Sequence, residues 1–182
     1  MKRATPAVLL LAALAGTHLG AASARPTRPK APMSLCRVPE RALFTCKISS
    51  KVVSICGQPR GEHAQGGAVY RFGRPGRIDL EVANLHHAEH GTSGGGDAEV
   101  YADTPTHRYV VYDTIVRTGF GPSGHFDPQE VFGLLVQSGG KTVSNRTCTE
   151  PVDLDPLVGT LMPKGDYVDH DVTLRPLPPE TE

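Results

Sequence analysis

"GAVYRFGRPGRIDLEVA", Gly67–Ala83, holds two alternating runs on either side of a turn. In its second half Ile78, Leu80 and Val82 alternate with Asp79 and Glu81, the period of two that gives a strand one buried face. In its first half the same alternation puts Tyr70 and Phe72 on one side. Between the halves, Pro75 and Gly76 suit the central positions of a type II turn. The stretch therefore predicts an antiparallel hairpin and no helix.

The pattern repeats on both sides of this hairpin. "ALFTCKI" (Ala42–Ile48) and "KVVSIC" (Lys51–Cys56) flank Ser49-Ser50, a second short reversal. "AEVYA" (Ala98–Ala102) alternates on a smaller scale, and "RYVVYDTIV" (Arg108–Val116) is rich in β-branched and aromatic residues. "VFGLLVQS" (Val131–Ser138) and "KTVSNRTC" (Lys141–Cys148) flank Gly139-Gly140, a pair suited to a two-residue hairpin turn. Helix is scarce. The one candidate is a short helix near Pro156–Met162, with Asp155 as N-cap, Pro156 at the first helical position and Pro163 as its stop. The expectation is an all-β protein: a single antiparallel sandwich or barrel of about eight strands, with two disulfides and at most one short helix.

The chain ends read differently. Met1-Lys2-Arg3, the apolar run Ala7–Ala15 and the A-x-A site Ala22-Ser23-Ala24 have the layout of a secretory signal peptide over residues 1–24. The apolar run is about half the length a membrane-spanning helix needs, so no membrane insertion is expected after cleavage. Residues 25–34 read as a proline-rich linker, 35–163 as the β-domain and 164–182 as an extended C-terminal tail. Removing Lys2 and Arg3 from 19 basic residues set against 19 acidic ones leaves a net charge of −2. That balance offers no electrostatic reason for nucleic acid as a partner.

All four cysteines, Cys36, Cys46, Cys56 and Cys148, follow the signal segment, and an even count in an oxidising compartment reads as two disulfides. No C-x-x-C spacing occurs, which disfavours a zinc knuckle or a thioredoxin-like site. Register bears on the pairing. With a two-residue turn at Ser49-Ser50, Cys46 faces Val53, and Cys46 and Cys56 point to opposite faces. With a three-residue loop they share a face as a diagonal pair. Proximity in sequence favours Cys46–Cys56, leaving Cys36–Cys148.

"NLHHAEHGTSGGGD", Asn84–Asp97, contains His86, Glu89 and His90 at the H-x-x-E-H spacing of inverted zinc peptidases. That chemistry needs the two imidazoles one helical turn apart, and the glycines that follow disfavour a helix. The stretch is therefore expected to be a polar loop of about fourteen residues between strands, long enough among short turns to be a contact surface. Binding of Zn²⁺ or Cu²⁺ by His86, His87 and His90 stands as a second reading. Gly119–Gly124 fits G-x-G-x-x-G, but no long helix follows it and Pro122 removes an N–H donor, so a dinucleotide site is not expected. No cofactor is implied. Tyr70, Arg71, Phe72, Arg74 and Arg77 cluster on one hairpin. Arg71, Arg74 and Arg77 are candidate contact residues, because arginines and aromatics dominate binding hot spots.

Two resemblances attach to these residues. Phe44-x-Cys46, Lys51-x-Val53-Ser54-x-Cys56 and Tyr70-Arg71-Phe72-Gly73 together resemble a set of uncharacterised proteobacterial exported proteins, over Leu43–Val82. That resemblance implies export and no activity. "TSGGGDAEVY", Thr92–Tyr101, resembles the Ser-Gly-rich loop of the periplasmic C-type lysozyme inhibitors, small disulfide-tied β-barrels. It implies contact roles for Ser93 and Tyr101, although the spacing is longer and the chain has no tryptophan. The functional expectation is a secreted or periplasmic, non-catalytic binding or inhibitor module acting through its loops on a protein or envelope component. A metal-binding protein using His86–His90, and a hydrolase with an unrecognised site, are the alternatives.

Overall fold

The computed structural model describes residues 33–58, 67–120 and 126–171. The signal segment, most of the linker, most of the G-x-G-x-x-G stretch and the end of the tail lie outside the described residues.

The chain forms two five-stranded antiparallel sheets that pack as a sandwich. β1 (Arg41–Ile48), β2 (Lys51–Gly57), β3 (Ala68–Arg74) and β4 (Arg77–Val82) follow one another as a meander. Two residues later the chain enters the second sheet, which is a meander of β5 (Leu85–Thr92), β6 (Gly95–Asp103), β7 (His107–Phe120), β8 (Phe126–Ser138) and β9 (Lys141–Thr147). Cys148 then carries the chain back, and β10 (Thr149–Val152) pairs with β1. A short helix, α1 (Val158–Leu161), follows. The all-β reading holds; among the described residues there are ten strands, because β5 and β10 add to the eight that alternation marks.

Turn chemistry sets the register. Ser49-Ser50 is a two-residue turn, with Ile48 opposite Lys51 and Ser49 in the left-handed region. Gly139 and Gly140 both have positive φ between Ser138 and Lys141, as a type I′ turn requires. Asp155 does not cap α1. Its carboxylate accepts the Leu157 N–H in the preceding turn, and Leu157 occupies the cap position.

The core between the sheets is built by alternation. Leu43, Phe44, Val53, Ile55 and Tyr70 come from the first sheet, Val100, Val111, Phe132 and Leu134 from the second, and Val158 and Met162 close one end. Tyr70 and Phe72 do share the core face.

The disulfides are Cys36–Cys56 and Cys46–Cys148, which overturns the pairing Cys46–Cys56 with Cys36–Cys148. The two-residue turn is the reason. It sets Cys46 opposite Val53 on the core face and leaves Cys56 in line with Ser54 on the outer face. Cys46 therefore reaches only a partner between the sheets, and Cys56 only one lying over the outside.

The stretch Asn84–Asp97 is a β-hairpin, which overturns its reading as a long loop. Leu85–Thr92 pairs residue for residue with Gly95–Ala102, and only Ser93-Gly94 turn. The glycines serve close approach. Gly94 takes φ +91° in the turn, and a Cβ on Gly95 would strike the Ile115 carbonyl on β7.

Candidate functional site

Both sheets carry a segment of chain across their outer faces. Over the first lie residues 35–40. The Leu35 N–H donates to Ser54 Oγ at 3.0 Å, Cys36 is bonded to Cys56, and Glu40 reaches Arg71. Arg71 is 2% exposed. Its guanidinium forks onto both Glu40 oxygens, and its Nε donates to Glu81 Oε2 at 2.8 Å. Bonding to Glu40, against a smaller opposing effect of burial, holds the guanidinium firmly in its charged form. Arg71 is thus committed within the protein, and of the three candidate arginines only Arg74 and Arg77 face solvent. Arg74 donates to Ser50 Oγ at 3.1 Å, while Arg77 is 77% exposed and lies 3.3 Å from Asp79.

Over the second sheet lie residues 163–171, which take in Pro163 and the first eight residues of the predicted tail, 164–182. They are packed against the sheet rather than solvated. They begin as one rung on the free edge of β5, where the His87 N–H donates to the Pro163 carbonyl and the Gly165 N–H to the His87 carbonyl. They then cross the face as far as β9, where Asn145 Nδ2 donates to the Asp171 carbonyl at 2.8 Å.

Strand register defines the face beneath in three rows. His86, Tyr101, Val110 and Leu135 form the first, and Ala88, Glu99, Tyr112 and Gly133 the second. His90, Asp97, Thr114 and Val131 form the third. The Tyr112 ring lies over Gly133, where a Cβ would collide with it. Its hydroxyl donates to Asn145 Oδ1 at 2.9 Å, so one asparagine ties the ring below to the strap above.

At the centre is a buried carboxylate. Glu99 is 1% exposed, and its Oε2 accepts the Val168 N–H at 2.9 Å. The His170 ring, its side chain wholly covered, packs tilted against Tyr112 with ring centres 4.3 Å apart. Its Nδ1 is 2.9 Å from the Val168 carbonyl, which can only accept, and so carries a proton; Glu99 Oε1 lies 3.0 Å from the same nitrogen. Nε2 is 3.2 Å from Thr114 Oγ1. Burial by itself favours the neutral ring, but Glu99, the Val168 carbonyl and Asp97 outweigh it and hold the imidazole above its ordinary pKa. Beside it the Tyr167 hydroxyl donates to Asp97 Oδ2 at 3.1 Å, and the Tyr167 ring stacks on His90.

A carboxylate, an imidazole and a hydroxyl in line are the parts of a nucleophilic triad. Here Thr114 is 5% exposed and sits under the strap, and neither it nor His170 lines the clefts beside Arg41, Glu89 or Asp103. The arrangement fastens the strap.

The three histidines do not converge. His86 and His90 lie on the outer face four residues apart in a strand, a separation of about 13 Å. His87 points the other way, with Nδ1 3.1 Å from the Met162 carbonyl. His86 stacks on Tyr101. Among the described residues the one group with metal-ligand spacing is Cys36, Glu40 and Cys56, and its two sulfurs form a disulfide. Ser93 occupies the tip of the β5–β6 turn, whereas Tyr101 is buried near the far end of β6, under Arg108 and against Gly165. Glu99, Tyr167 and His170 escaped the sequence reading. Their only trace is an acid alternating with an aromatic in "AEVYA" and an apolar pair, Tyr167-Val168, inside a polar tail.

Compared with protein families, with curated proteins and with solved structures, the chain matches none. Two disulfides suit an oxidising, extracellular or periplasmic setting. No helix among the described residues is long and apolar enough to cross a membrane.

Proposed function

We propose that this chain is an exported, non-catalytic binding or inhibitor module that meets its partner through the hairpin tips of the first sheet. The observation that carries the reading is the exposure of Arg74 and Arg77 at a two-residue turn, while strap segments cover the outer faces of both sheets. The Ser49-Ser50 turn stands beside it, bound through Arg74, and Lys51 packs on Phe72 and pairs with Asp79. These tips are rigid, cationic and anchored to a sheet that disulfides tie at both faces. Rigidity of that kind lowers the entropy lost on association. The leader-like residues 1–24 support export.

The test is inhibition of a panel of lysozymes and proteases, run beside photo-crosslinking from position 77 in the native compartment. An Arg74→Glu/Arg77→Glu variant is the control. Inhibition or a discrete crosslink that charge reversal abolishes supports the proposal. Absence of both from the unaltered protein overturns it.

A further inference from the structure

The two straps are held in different ways. Residues 35–40 are fixed by the Cys36–Cys56 bond and by the Arg71 fork. Residues 166–171 have no covalent tie, and their contacts run mainly through ionisable groups. We propose that residues 166–171 are a latch that stays closed while His170 is protonated and opens when it is not, uncovering the outer face of the second sheet.

The groups facing His170 set the sign. From β6 come the carboxylates Glu99 and Asp97, and from β7 Tyr112 and Thr114. From the latch itself comes Tyr167, whose other face meets His90 of β5. Val131 and Leu135 of β8 are uncharged, and Asn145 of β9 is neutral. An imidazolium here compensates a buried carboxylate. Nδ1 keeps its proton on the Val168 carbonyl in either state, and Glu99 Oε1 has no hydrogen-bond partner, so the carboxylate is met by the ring's charge alone; a neutral ring leaves it uncompensated. Because the docked imidazole titrates above its ordinary pKa, its contribution to closure is complete below the free-chain value. It is lost as pH rises through the higher docked value. Opening exposes Ala88, Tyr101, Val110, Tyr112, Val131 and Leu135 around the carboxylates of Glu99 and Asp97. That is an apolar trough which now accepts an extended segment of this chain, and which an extended segment of a partner would fit.

The experiment is residue-resolved amide exchange on the full chain between about pH 5.5 and pH 9, expressed as protection relative to the intrinsic rate. Val168 protection should fall as pH rises while that of β2 and β8 holds, and the fall should vanish in His170→Gln. In Glu99→Gln the His170 ring should titrate at lower pH, with the Val168 profile following it. Constant Val168 protection in the unaltered chain, or an equal fall in His170→Gln, overturns the latch. Should His170→Gln not fold, an unshifted profile in Glu99→Gln overturns it equally.

Discussion

Cys46 and Cys148 stand 102 residues apart in the chain and 5.5 Å apart at Cα, so one bond joins β1 to the crossover that returns the chain to the first sheet. The other bond closes only 20 residues. Loop entropy makes the long bond worth about 5 kcal/mol and the short one about 3 kcal/mol. Denaturant titration of the two Cys→Ala pair variants should show the Cys46/Cys148 variant as the weaker. Mild reductant should open Cys36–Cys56 first, since Cys46 and Cys148 are both buried while Cys36 is partly exposed.

Gly165 lies under the Tyr101 hydroxyl, where a Cβ would overlap it. Gly165→Ala should lift the strap from the face without unfolding the sandwich. Limited proteolysis should then cleave within residues 164–171, and the far-UV spectrum should stay that of a β protein.

Asp113 has a buried Oδ1 with no hydrogen-bond partner. Burial first, then the charges of Glu130, Asp153 and Asp97, push its carboxyl up to about 6, against a backbone hydrogen bond from Leu154. A raised carboxyl contributes stability that is fully present below its free-chain value and lost as pH rises through about 6. Asp113→Asn should therefore stabilise the protein at pH 8 by on the order of 2 kcal/mol, discounted for partial exposure, with the gain fading below about pH 4. Thermal melts across that range would show it.

Arg71 and its neighbours on the same hairpin should separate cleanly. Arg71→Leu leaves Glu40 without its partner under the strap and should cost about 3 kcal/mol. Arg74→Glu and Arg77→Glu should change stability by less than about 0.5 kcal/mol. Urea unfolding of the three variants is the measurement.

The histidines of β5 should not act as one ligand set. Calorimetric titration with Zn²⁺ should give the same isotherm for the unaltered chain and for His86→Ala/His87→Ala/His90→Ala. Tight binding lost in the triple variant would reverse that expectation.

Strand identity was legible wherever apolar and polar residues alternate, as in Arg77–Val82. It was hidden in β5, where histidines and alanine stand in for the apolar set, and in the first residues of β6, Gly95–Asp97, where glycine suggests a loop. In Gly95 the missing side chain answers a carbonyl on the next strand, which no local pattern reveals. Arg71 reads as a surface cation for a similar reason: its partners Glu40 and Glu81 lie 31 and 10 residues away.

The β class, the Ser49-Ser50 and Gly139-Gly140 turns and the face shared by Tyr70 and Phe72 depend on neighbours two to ten residues apart, and are legible in the chain alone. Which cysteines join, that Arg71 is buried, and that His170 meets Glu99 across 71 residues of chain are settled by packing. Those outcomes depend on which outer face each end of the chain crosses. Local periodicity specifies the two faces of a strand, but not what comes to cover them.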